Sequence, residues 1–72
     1  MKNVWFTVGS KLKNGAKIRA VRNEPDKVIV CADWGDQHVT WRVDDQGGTF
    51  LGHYFANTDD GLRAAMIDFR TR

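Results

Sequence analysis

The sequence predicts an α+β domain: an antiparallel meander of four to five strands with one C-terminal helix packed on one face, in two layers. Three observations carry this. Turn signals recur at short intervals, the runs between them have strand length, and the apolar period lengthens to that of a helix only in the last segment. At 72 residues the chain makes one domain, 1–72, with no internal repeat and no linker. A chain this short buries only about 60% of the surface it exposes when unfolded, so it has little apolar material to line a deep pocket.

The turns come first. Asn14-Gly15 is a hairpin signal, expected as a two-residue type I′ turn with positive φ at both central residues. Asn23-Glu24-Pro25-Asp26, Asp33-Trp34-Gly35-Asp36 and Asp44-Asp45-Gln46-Gly47-Gly48 follow. Strands are expected over about 4–8, 16–22, 27–32, 38–43 and 49–55. In the run 38–43 the apolar set is Val39, Trp41 and Val43, which leaves His38, Thr40 and Arg42 on a polar face. In the run 16–22, Ile18 and Ala20 read inward, with Lys17, Arg19 and Val21 outward. The run Val28 to Ala32 is apolar on both faces, as in a central strand covered twice or one at a subunit contact.

Leu62, Ala65, Met66 and Phe69 fall on one helical stripe, which gives a helix over about 59–71. Thr58 or Asp59 caps it, Asp59 and Asp60 suit its positive end, and Arg70 and Arg72 suit its negative end. Asp59 with Arg63, and Asp68 with Arg72, are ordered as favourable pairs four residues apart. The stripe is expected to pack on the apolar face of the sheet. Trp5, Phe6, Trp41, Phe50, Tyr54 and Phe55 then supply more aromatic surface than one helix covers, a surplus that favours self-association.

Charge is uneven along the chain. The net charge is +2, with +5 in residues 1–30 and −3 in residues 31–72. Such asymmetry makes either a basic face for an anionic partner or complementary faces for copies of the same protein, unless the strands mix the two halves in space.

Several chemistries are expected to be absent. No catalytic residue, metal site or cofactor site is expected. Cys31, His38, His53, Asp33 and Asp36 have no recognised ligand spacing. Cys31 sits in an apolar run, where burial makes a thiol inert, and Ser10 lies in a loop without a nucleophile-elbow pattern. Gly47-Gly48 lacks both the spacing and the following helix of a phosphate loop. With one cysteine, and an N-terminal apolar patch too short for a signal-peptide core or a span, the expected location is cytoplasmic, with no membrane partner.

Binding is the function that remains. The first expectation is a protein partner or self-association, possible as a homodimer, with Trp34, Tyr54, Ile29 and Cys31 as candidate interface residues. The alternative is nucleic acid, held by Lys11, Lys13, Lys17, Arg19, Arg22 and Arg42 on a basic sheet face. The pieces Val39 to Val43, Gly48 to Phe55 and Asp59 to Phe69 resemble the three-stranded-sheet-plus-helix DNA-binding domains of the plant ethylene-response and phage-integrase N-terminal types. In those families the sheet face enters the major groove, which by position implies Arg42, Thr40 and Phe50 here. Most of the family arginines are missing and the likeness covers half the chain, so it is taken as shared topology. No small-molecule substrate is expected.

Overall fold

The computed structural model describes residues 6–72. Its elements are β1 (Lys17–Glu24), β2 (Lys27–Trp34), β3 (Gln37–Val43), β4 (Thr49–Ala56) and α1 (Asp59–Thr71). The strands form one antiparallel sheet in the order β1-β2-β3-β4, with α1 across β2, β3 and β4. This is the expected two-layer α+β meander, with four strands. Of the expected strand 4–8, residues 4 and 5 lie outside the described residues, and Phe6 to Val8 form loop and turn rather than strand. Among the described residues no helix is long and apolar enough to cross a membrane.

The hairpin turns follow their glycines. Residues 12–16 and 44–48 close in the same way: Gly15 N–H donates to Leu12 O and Leu12 N–H to Ala16 O, while Gly47 N–H donates to Asp44 O and Asp44 N–H to Gly48 O. Within these two loops positive φ is confined to Gly15 (+89°) and Gly47 (+82°). Each is therefore a three-residue loop with glycine in the left-handed position, not the type I′ turn expected at Asn14-Gly15. The Asn14 side chain instead accepts from Ala16 N–H at 2.9 Å.

β2 is the central strand, and both of its faces are covered from within the chain. Val30 and Ala32 join Ile18, Val39, Trp41 and Val43 beneath Leu12 and Ala16, with Phe6 packed against them. Ile29 and Cys31 lie on the other face, beneath Ala65 and Phe69 of α1. The helix therefore does not sit on Val39, Trp41 and Val43, as the alternation suggests. It covers the face that carries Thr40, and residues 6–18 cover the more apolar one. Alternation in β1 also breaks. A bulge at Arg19, between Ile18 and Ala20, puts Ala20 on the helix side and sends Val21 to the side of Ile18.

α1 begins where expected, because Thr58 Oγ1 accepts from Gly61 N–H at 3.0 Å and Asp59 and Asp60 occupy the first turn. Arg63 pairs with Asp60 at 3.1 Å rather than with Asp59. At the other end, two side chains from the sheet reach the helix carbonyls. Arg22 Nη1 donates to Phe69 O at 2.6 Å and Lys27 Nζ to Arg72 O at 2.8 Å, cations placed at the negative end of the dipole.

Gly61 is the tightest point between helix and sheet, since a Cβ there would lie 1.8 Å from Ala56 O. Gly61→Ala is expected to destabilise the fold by about 2 to 3 kcal/mol, although alanine favours a helix by about 1 kcal/mol over glycine. Urea unfolding checks this: a gain in stability would mean that the β4–α1 junction has slack.

Candidate interaction surface

On the face away from the helix, coverage of the sheet ends at β3. The cluster packed under residues 6–18 stops at Val39, Trp41 and Val43 and holds no β4 residue. Beyond it Trp34 stands against Trp41 edge-on, ring centroids 5.2 Å apart, and Tyr54 meets Trp41 from the other side at 6.3 Å and 89°. Trp41 is buried, whereas Trp34 is 38% and Tyr54 53% exposed. Edge-to-face contacts of this kind hold rings rigidly without hiding them. Trp34 Nε1 donates to Asn14 O at 3.2 Å, fixing that ring further. A shallow depression of about 240 Å³ opens beside Trp34, Gly35 and Gln37.

The strand itself is irregular at one point. Leu51 has φ +54°, the one positive φ outside glycine among the described residues, and the β3–β4 register shifts between Thr40 and Arg42. This bulge turns Leu51 outward, 61% exposed. Gly52 follows because a Cβ there would meet Trp41 Nε1 at 2.7 Å and the Tyr54 hydroxyl at 2.8 Å. Phe50 is 42% exposed and lies under the Arg42 guanidinium, 5.7 Å from its ring centroid. Phe50 entered the sequence reading only through the aromatic surplus and the family resemblance, and Leu51 not at all, though the uncharged run Thr49 to Ala56 was a signal for both.

Beneath the helix the sheet carries a polar network. Thr40 Oγ1, fully buried, donates to Asp68 Oδ2 at 2.5 Å, and His53 Nδ1–H donates to the same oxygen at 2.9 Å. Arg72 Nη1 donates to Thr40 O and Oγ1, each at 3.0 Å, and Arg72 Nη2 to Leu51 O at 2.6 Å. Burial pushes the Asp68 carboxyl up, but the hydrogen bonds from Thr40 and His53 outweigh it and hold the pKa below the ordinary aspartate value. A second network joins β1, β2 and β3. Asp33 accepts from Arg19 Nη2 at 2.8 Å and from His38 Nδ1–H at 2.7 Å, and its pKa is lowered because these bonds exceed the effect of burial.

These contacts place the sequence candidates. Ile29 and Cys31 are 1% and 0% exposed beneath α1, so neither presents a surface to another chain. Burial pushes the Cys31 thiol up to about 11, which keeps it protonated at neutral pH. Arg19 is paired with Asp33. Arg22 holds the helix end, with Nε 2.8 Å from Glu24 in a charge contact that lacks hydrogen-bond geometry. Arg42 donates to Asp26 O. Lys13 lies along Gly47, near enough to Asp44 to help lower that carboxyl, whose main causes are the Gly48 and Gln46 amides. Lys11 and Lys17 face each other across a bridge, exposed and without an ion-pair partner among the described residues. The six basic candidates thus do not form one basic sheet face: Lys11 and Lys13 lie in the segment before β1, and Arg19, Arg22 and Arg42 are each engaged with a group of the chain itself.

The family likeness does not carry over either. Thr40 is buried under the helix, and Arg42 and Phe50 sit on that same side rather than on an open sheet face. Among the described residues no group of three or more His, Cys, Asp or Glu side chains is placed to hold a metal ion. No protein-family model, curated protein or solved structure matches the chain.

The lowered pKa values give stability a sign. Asp33 and Asp68 are held below their unfolded values, so they stabilise the fold above the ordinary aspartate range, near 3.9, and that stability is lost as pH falls through their folded values. Thr40→Val is expected to cost about 1.5 to 3 kcal/mol at pH 7, the range for a charge-assisted hydrogen bond, and to cost less at pH 3. Urea midpoints at both pH values test this; an equal loss at both would show that the hydroxyl does not serve the carboxylate.

Proposed function

We propose that this protein is a small non-catalytic interaction module that works through protein–protein contacts on the β4 side of its sheet. The observation that carries this reading is the exposed aromatic pair of Trp34 and Tyr54 braced on buried Trp41, on the face of the sheet away from the helix, with exposed Leu51 at the bulge of β4. Fixed aromatic rings give contact area at low entropic cost, which is why Trp and Tyr dominate binding hot spots. The charge layout supports it as well. Four of the six basic candidates are engaged with groups of the chain itself or lie beside one of its carboxylates, which leaves Lys11 and Lys17 of that set for an anionic partner. Polyanion binding needs several free cations on one surface, each releasing counterions, and two lysines on one edge supply little affinity at physiological salt.

A displayed random-peptide library, selected on the wild-type protein, tests the reading. Enriched extended peptides are expected to bind in the micromolar range and to lose about tenfold or more on Tyr54→Ala and on Trp34→Ala, each variant retaining its circular dichroism. Labelled single- and double-stranded oligonucleotides, followed by fluorescence anisotropy at about 50 and about 200 mM salt, are expected to show no steeply salt-dependent binding. Tight, salt-steep oligonucleotide binding with no peptide enrichment would overturn the reading.

A further inference from the structure

We propose that two copies of this chain pair along β4, antiparallel about a twofold axis at Tyr54, so that their sheets of four strands join into one continuous sheet. The proposal rests on the protein-contact reading above and names the partner as a second copy.

The sheet has two edges, and they differ. Along the first half of β1 the outer edge is already bonded: Gly9 N–H donates to Ile18 O and Ile18 N–H to Ser10 O, both at 2.8 Å, with Lys11 bridged to Lys17. That strand also carries Lys17, Arg19, Arg22 and Glu24, the charged kind of edge that resists further pairing. On β4, among the described residues, the backbone hydrogen bond outside its pairing with β3 is the one from the Arg72 guanidinium to Leu51 O, at the bulge, while α1 packs on one face of the strand at His53, Phe55 and Ala56. From Thr49 to Ala56 the strand contains no Lys, Arg, Asp, Glu or Pro. An open, uncharged edge exposes a row of backbone donors and acceptors that another strand satisfies.

Charge and shape select a copy of the same chain as that strand. A twofold axis sets the strand against its own image, so a strand of like charges repels itself and an uncharged one does not. The bulge at Leu51 ends regular pairing, which leaves residues 52–56 as the usable run, centred on Tyr54. In that register Tyr54 opposes Tyr54 of the second copy, Gly52 opposes Ala56, and His53 opposes Phe55. On the face that carries Tyr54 the residues two positions away are Gly52, over which the chain's own Tyr54 hydroxyl lies, and Ala56, which is small and leaves room beside the second tyrosine ring. On the other face His53 is already turned to Asp68 of its own chain, so no histidine meets its image.

The contact is small. A standard interface buries about 800 Å² per partner, roughly one-sixth of this chain's 4574 Å² surface, and a five-residue edge with a few aromatics falls below that. The expected dimer is accordingly weak, dissociating at tens of micromolar or above.

Sedimentation equilibrium from about 1 to about 500 μM, on the wild type and Tyr54→Lys, tests the pairing. The wild type is expected to dimerise in the upper part of this range. Tyr54→Lys, which sets two lysines face to face, is expected to weaken the dimer at least about tenfold while its thermal melt shows it still folded. Tyr54→Cys, oxidised with glutathione at high protein concentration, is expected to give a disulfide dimer through residue 54, since directly opposed strand positions lie within disulfide reach. Lys17→Cys, on the other edge, is the control and is expected not to cross-link. A dimer that survives Tyr54→Lys, with no cross-link at residue 54, overturns β4 pairing and leaves the protein-contact reading standing. A wild type that stays monomeric while displayed peptides bind at Tyr54 overturns the second copy as occupant and leaves that reading standing too. A monomer that also enriches no peptide overturns both.

Discussion

β2 must be hidden on both faces, and the chain has two segments with which to do it. Ile29 and Cys31 need one cover, and Val30 and Ala32 need another. Fully burying a residue such as Ile29 or Val30 is worth about 1.5 to 3 kcal/mol, comparable to a substantial part of the stability of a small domain. The helix supplies the first cover and residues 6–18 the second. The helix reaches β4 on its own side, packing over His53 and Phe55, whereas residues 6–18 stop at β3, so the opposite face of β4 and its outer edge remain open. The exposed aromatics are thus a consequence of how a short chain distributes its coverage.

Polar chemistry follows from the same arrangement. With the helix on the side of Thr40, a hydroxyl, a histidine and the arginine at the end of α1 come to lie beside Asp68, and each hydrogen-bonds to the others' acceptors instead of to water. A buried hydroxyl without a partner would be costly, and the carboxylate removes that cost while tying helix to sheet. The basic residues of β1 and β2 are used in a related way. Arg22 and Lys27 satisfy carbonyls at the helix end that have no intrahelical partners, which makes cations that look available in the sequence part of the scaffold.

Local signals foretold the elements well. Helix 59–71 was legible because its stripe, its Thr58 cap and its terminal charges agree, and the four hairpin strands were legible to within two residues because Gly15, Pro25, Gly35 and Gly47 punctuate them. Two bulges were not. Nothing in Ile18-Arg19-Ala20 or in Phe50-Leu51-Gly52 announces an extra residue, and each one reverses the faces that follow. Which face the helix takes was equally hidden, since it depends on Thr40 meeting Asp68, residues 28 positions apart. Of the candidate interface, Trp34 and Tyr54 are exposed, whereas Ile29 and Cys31 are core; a doubly apolar strand reads alike whether its second cover is its own N-terminal segment or another chain.

The central claim is that coverage is complete at β2 and runs out on the far face and outer edge of β4. Amide hydrogen exchange on dilute monomer, read residue by residue by NMR, tests it most directly. Amides of Val30 and Cys31 are expected to exchange only through global unfolding, with protection equal to the full stability of the domain. The amides of Gly52 to Ala56 that point away from β3 are expected to exchange through local opening, at least about a hundredfold faster. Protection along both edges of β4 equal to that of β2, at a concentration where no dimer forms, would contradict the account.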